Sequence, residues 1–262
     1  MSAAARPPAF PVSWPVRIAW AGLALYTLYA TSILNLTWAR FLTGLDNGAK
    51  FLARMFPPNM AADKLDLIAT GMAESIQIAV LATFFGVLLS LPLGLAAARN
   101  LAPKWLSWSA RGLIAIFRSF HPVIVSILFV KAVGFGALAG ILALIVSSMG
   151  FVSKLFAEVV EEMNPKQVEA VRATGASFWN VLVMAVMPQV MARFVGLSVY
   201  QLDSNLRNST MVGIVGGGGI GAPLFTAYQR FDYDVVLTIL LIIIALIMVA
   251  ELVSGRIRRI FQ

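Results

Sequence analysis

The chain has 262 residues, 60% of them hydrophobic and 12% charged, with a net charge of +8 and a mean hydropathy of +0.85. A soluble domain averages roughly 45–50% apolar and about 25% charged residues, so lipid must solvate most of this chain; a soluble enzyme and a disordered chain are excluded. With no cysteine and one histidine, His121, disulfides, thiolate metal sites, cysteine nucleophiles and multi-histidine metal sites are excluded too, and the positive charge reads as loops obeying the positive-inside rule rather than as a nucleic-acid surface.

A bilayer core of about 30 Å takes roughly 20 apolar residues in a helix. Ile18–Leu36 is uncharged, follows Arg6 and Arg17, and exceeds the apolar core of a signal peptide, so it reads as a retained first span. Thr37–Asp66, with mixed charges and Pro57-Pro58, reads as an outer, partly interfacial loop. Ser75–Ala98 is the second span, ending in Pro92 and Gly94 before Arg99. Leu113–Phe129 and Ala132–Ser153 are the third and fourth, joined by the turn Gly134-Phe135-Gly136. Pro188–Ser209 is a fifth span interrupted by charges, and Val235–Val253 a sixth, closed by Arg256, Arg258 and Arg259.

Six crossings put both termini on one side, the side that gathers Arg6, Arg17, Arg99, Lys104, Arg111, Lys154, Lys166, Arg172 and the terminal arginines. The expectation is an all-α integral membrane protein with six transmembrane helices, N-in/C-in. Residues 1–67 form an N-terminal segment with the first span and outer loop, and 68–262 the main transmembrane domain. His121 is expected to be a packed, hydrogen-bonded histidine, Arg118 to lie at the cytoplasmic rim, and Lys131 to snorkel to the outer interface.

Between spans four and five, Asn164 is a good N-cap, Pro165 suits the first helical position and Gln167 the third, a start with capping-box character. The helix-forming run Val168–Thr174 ends at Gly175, and a second amphipathic stretch, Ser177–Met187, runs into Pro188. Alanine and glycine let a partner approach closely while Glu169 and Arg172 offer charges. By composition alone a rigid docking protrusion and an ordinary interfacial helix are equally open.

Farther on, Tyr200–Thr210 is polar for a membrane segment, and ionisable groups in a span face a cavity or a partner. Asp203 and Arg207, four apart, can pair, and Asn205 and Ser209 form a second such pair on another face. Either this is a self-satisfied ion pair, or it is a polar pathway wall where Arg207 attracts an oxyanion. Gly216–Gly221 formally satisfies G-x-G-x-x-G, but it lies between two spans with no βαβ unit around it, which argues against a dinucleotide site. Such a run permits φ > 0 and close backbone packing, as in a re-entrant turn or gate loop near the outer surface.

Glu169-Ala170-Val171, then Gly175, then Pro188 resembles the EAA loop of ABC-importer permeases, with Ala185 and Met187 where that family usually has Ile and Leu. The series Asp203, Asn205, Arg207, Thr210, Gly213 and Val215–Gly221 is similar to the phosphonate-transport branch. So are Glu74-Ser75-x-Gln77, Ala97-Ala98-Arg99-Asn100 and Arg118-Ser119, over roughly residues 68–262. Gly217 replaces a frequent alanine, and His121-Pro122 departs from the branch's usual proline and acidic residue.

The resemblance implies a type I ABC importer permease in a bacterial inner membrane, a pathway and not an ATPase. No lysine here follows a glycine, so the chain has no G-x-x-x-x-G-K-[ST] phosphate cradle. It implies two ABC ATPase subunits carrying ATP and Mg, with no cofactor on this chain, and a second permease copy, identical or paralogous. It also implies a periplasmic or lipid-anchored phosphonate-binding protein, and no nucleic acid as partner. Glu169, Ala170, Val171, Arg172, Gly175 and Pro188 are implied in coupling. Asp203, Asn205, Arg207, Ser209 and Thr210 are candidates for the substrate path, and Gly216, Gly218, Gly219 and Gly221 for a gate. Phosphite, hypophosphite and phosphate are alternative cargoes. A methionine-type permease, a proton-coupled carrier and a membrane enzyme are more distant readings.

Overall fold

The computed structural model describes residues 13–34 and 37–261, the side chains of 258, 260 and 261 excepted. Arg6 and the last two residues of the expected first span lie outside this set, and nothing is assigned to the side chain of Arg258. All the regular structure described is helical.

The chain divides into two compact units, the first ending at Arg54. It holds α1 (Trp14–Ile33), none of whose residues is buried, and α2 (Trp38–Met55) but for its last residue. The expected outer loop is thus largely a helix. Phe41, Leu42, Leu45 and Leu52 recur at helical spacing opposite Arg40, Asp46, Lys50 and Arg54, and Lys50 pairs with Asp46 one turn away at 2.5 Å. An amphipathic helix of this kind lies along an interface, and its charge content alone reads as loop.

The second unit begins at Met55. Asn59 ties the lead-in to α3 onto α11 (Tyr233–Phe261): its Nδ2 donates to Asp234 Oδ2 (2.8 Å) and its carbonyl accepts from Thr238 Oγ1 (2.9 Å). α3 (Ala62–Ala97) is one 36-residue helix that carries the expected second span and runs unbroken through Pro92.

The expected third span is not one straight helix. α4 (Lys104–Ser119) and α5 (Pro122–Val133) meet at 89°. Pro122 disfavours helical φ/ψ at its predecessor, and His121 is accordingly extended (φ −70°, ψ 141°). Its Nδ1 accepts the Val123 N–H (3.4 Å), so His121 caps α5. The Cγ of Arg118 lies 3.0 Å from where a Cβ of Gly150 would be, midway along α6 (Ala137–Glu161). Lys131 is exposed in the last turn of α5.

α7 (Pro165–Ala173) follows, then α8 (Phe178–Val181), a π-helical turn over Leu182–Val186, and α9 (Met187–Ile214). The expected amphipathic stretch and fifth span are continuous, since residues 178–214 form one helical run long and apolar enough to cross a membrane. Pro188 has no N–H to give the carbonyl four residues back. The turn before it is wound wider, with the Met187 N–H reaching Leu182 O, so the rod continues. A glycine loop and α10 (Gly221–Gln229) lead to α11.

The core is built on α3, α6 and α9. Gly86, Ser90 and Gly94, each four apart, let α6 approach: a Cβ at Gly86 would lie 2.5 Å from Ser148 Cβ, and one at Gly94 2.8 Å from the Phe156 ring. Ser153 Oγ donates to Ser90 O (3.3 Å) across the same seam. In lipid, where hydrophobicity drives no association, such small-residue seams supply the packing. α3 and α6 run parallel and α9 against them, with Phe194 on Phe156 at one end and Gly213 on the glycine loop at the other. Four helices qualify individually as spans by length and composition, and up to six if each bent pair counts as one.

Candidate functional site

Two regions at opposite ends of α9, and the polar stretch between them, carry the candidate functional residues. At the first, the α7 start is capped as expected, with Asn164 Oδ1 accepting the Lys166 N–H (3.0 Å). The other half of the capping box comes from elsewhere. The Asn164 N–H goes to Gln189 Oε1 (3.0 Å), directly after Pro188, while Gln189 Nε2 donates to Ala185 O (2.7 Å). Gln189 thus pins the protruding helix to the base of α9.

Val168 is buried and joins Val160, Val181, Leu182, Ala185, Val186 and Val190 in the largest apolar cluster, with Val171 packed against it. Glu169, Ala170 and Arg172 are exposed, and neither charge has an ion-pair partner among the described residues. The helix stops at Gly175, whose N–H bonds Arg172 O (3.0 Å) at φ +76°, a left-handed stop that glycine adopts without strain.

At the other end lies the glycine loop. Gly216, Gly218 and Gly219 all have positive φ (94°, 78° and 77°). The loop is a packed plug rather than a free flap. Gly216 O accepts the Gly136 N–H (2.9 Å), the Ile220 N–H reaches Ser75 Oγ (2.9 Å), and Gly217 N–H bonds Val212 O (3.0 Å). A Cβ at Gly213 would meet Gly218 O, one at Gly221 would meet Thr210 O, and one at Gly218 would come within 2.8 Å of Glu74 Oε1. Side chains here would push apart α3, α6 and α9.

The polar residues of α9 divide between two faces. Asn205 is fully buried; its Nδ2 donates to Thr83 Oγ1 and Ser148 Oγ (both 2.9 Å), and its Oδ1 accepts from Gln201 Nε2 (3.0 Å). The expected Asn205–Ser209 pair does not form, since Ser209, also buried, donates to Leu206 O (2.8 Å). The partners of Asn205 lie one turn back and on two other helices, so the contact became visible only in three dimensions. Thr83 and Ser148 are the residues that sequence reasoning missed; each is a polar residue within an apolar run, which was the available signal, whereas Gln201 lies in the polar stretch Tyr200–Thr210.

On the other face Asp203 and Arg207 pair as expected, with the Arg207 side chain 45% exposed and that of Asp203 11%. Asp203 Oδ1 is buried without a hydrogen-bond partner among the described residues. Thr210 is half-buried beside the loop. This arrangement leaves one ion-paired but still accessible guanidinium on α9.

Residues 90–262 match the family model described as "Binding-protein-dependent transport system inner membrane component". The phosphite transport system permease protein PtxC of Stutzerimonas stutzeri is 36% identical over 242 residues, covering 92% of this chain and 86% of that protein. The phosphate-import permease protein PhnE of Mycolicibacterium smegmatis is 43% identical over 206 residues, 78% of this chain; the chain spans only 38% of that longer relative. In structure, a chain of the MetNI methionine ABC transporter in an inward-facing conformation superposes with a TM-score of 0.69 at 25% identity, covering 78% of this chain and all of that one. The fold is that of a type I ABC importer permease.

Proposed function

We propose that this chain, which belongs to the family of binding-protein-dependent transport system inner membrane components, lines the pathway of an ATP-driven importer for phosphorus oxyanions. The observation that carries the mechanical part is α7: capped at both ends, keyed by Val168 and Gln189 into the base of α9, with Glu169 and Arg172 free. Closure of two partner ATPases, which supply ATP and Mg, would press on Glu169, Ala170 and Arg172. The π-helical turn beneath gives the base of α9 its compliance, and the 28-residue rod carries the motion to Gly213 and the loop Gly216–Gly221. Moving that plug would open the outer end to solute handed over by a binding protein, with a second permease copy completing the path.

Within the path, Arg207 would make charge-assisted hydrogen bonds to the tetrahedral anion, and Asp203 would keep the site weak enough to release it. Asn205 and Ser209, satisfied inside the helix bundle, would hold that wall in register rather than touch solute. The substrate class is supported by relatives named for phosphate and phosphite transport and by the motifs of α9 and the glycine loop. Phosphonate is the cargo we favour.

The test is uptake of isotopically labelled methylphosphonate, phosphite and phosphate in a host lacking its own uptake systems, with the chain co-produced with its ATPase and binding protein. Arg207→Ala should reduce uptake by about tenfold or more, the loss of one charged hydrogen bond, at unchanged membrane level. Undiminished uptake would remove Arg207 from the path, and transport of none of the three would reject the substrate class.

A further inference from the structure

We propose that the corner joining α3 to α4 binds the phosphate of an anionic phospholipid, with an acyl chain in the apolar cavity beside it. A cavity of about 630 Å³ is lined here by Arg99, Lys104, Ser107, Trp108, Arg111 and Gly112. The carboxylate bonded to two of these residues is already committed: Glu161 Oε1 accepts from Arg111 (2.7 Å) and from the Arg99 backbone N–H (2.6 Å). The nearby Glu158 and Glu162 pair with Lys154 (3.5 Å) and Arg193 (2.8 Å). The side chains of Arg99 and Lys104 are exposed and have no ion-pair partner among the described residues, so the cavity keeps a surplus of positive charge. Lys104 opens a 16-residue helix with no acidic residue in its first turn, where the backbone dipole favours an anion over a cation. A bound phosphate would correct both.

Lipid is favoured over a free anion by what surrounds the charge. On the adjoining face of the same corner, Leu91, Leu95, Leu101, Leu106, Phe178 and Trp179 line an apolar cavity of about 600 Å³, of no use to a small oxyanion. Trp105 and Trp108 project from α4 at 71% and 76% exposure, the aromatic pattern of a membrane–water boundary. The corner lies at the α7 end of the molecule: Asn100 Nδ2 bonds Val160 O (2.8 Å), one turn before the loop that carries α7. In an inside-positive orientation this is the level of the anionic cytoplasmic leaflet, whose headgroups basic cavities between helices recognise. The proposal is independent of which solute is carried.

It is tested by native mass spectrometry of the purified full-length chain with its co-purifying subunits, offered dioleoylphosphatidylglycerol, dioleoylphosphatidylcholine or inorganic phosphate. Phosphatidylglycerol should be retained selectively. The double variant R99Q/K104Q should reduce that retention on the order of tenfold, the loss of two surface cations, without altering assembly. L95W, filling the apolar cavity, should reduce it while Arg99 and Lys104 remain. Equal retention of both lipids, or retention unchanged in both variants, would overturn the proposal. So would displacement of the lipid by inorganic phosphate, which would mark a soluble-anion site. If a variant does not fold, salt decides on the parent protein: retention must fall as ionic strength rises, and salt-indifferent retention contradicts the site.

Discussion

Gly213 and Gly196 occupy the same helix with opposite surroundings. A Cβ at Gly213 would strike Gly218 O and come within 2.9 Å of Gly221 Cα, whereas one at Gly196 would meet nothing within 4 Å. Gly213→Ala should therefore destabilise by about 1–3 kcal/mol through overpacking, and Gly196→Ala should stabilise by up to about 1 kcal/mol through helix propensity. Thermal midpoints of the two purified variants check this, and equal midpoints would contradict the packed plug. Asn205→Ala should cost about 1 kcal/mol by stranding Gln201, Thr83 and Ser148, while leaving uptake per folded molecule unchanged. Arg207→Ala should do the reverse. The glycines were legible because φ > 0 is a property of the residue itself. The place of Asn205 was not, because its partners sit on α3 and α6 and a single helix cannot disclose them.

The elements were legible in proportion to how local their causes are. The α7 start and stop lie in Asn164, Pro165 and Gly175, neighbours in sequence, and the structure has them where the sequence puts them. The Gln189 anchor, the unbroken passage through Pro188 and the bend at His121 each depend on how a helix meets its surroundings, and α2 was hidden by charges that its amphipathic face accommodates. Gly175 lets the backbone contribution to α7 be separated from a steric one, since a Cβ there meets nothing within 4 Å. Gly175→Val should cost about 1–3 kcal/mol in backbone strain and loosen ATPase co-purification. Gly175→Asn, tolerant of left-handed φ, should retain more of it. Equal loss in both would mean that bulk rather than backbone conformation matters there. Val168→Asp, placing a charge in the cluster that seats α7, should uncouple ATP hydrolysis from uptake while the unmodified Glu169–Arg172 face still binds.

At the scale of the molecule, the three-helix core of α3, α6 and α9 links the end that carries α7 to the end that carries the glycine loop. The chain's apolar composition and crossing pattern made the membrane fold legible, while the Gly86–Ser90–Gly94 seam that holds the crossings together went unread among many small residues. The most direct test is solute accumulation in proteoliposomes containing the chain, its ATPase subunits and a saturated binding protein. The account predicts accumulation against the gradient only with hydrolysable ATP, abolished together with co-purified ATPase by Glu169→Lys combined with Gly175→Val. Accumulation by the chain alone, driven by an imposed proton gradient without nucleotide, would contradict it.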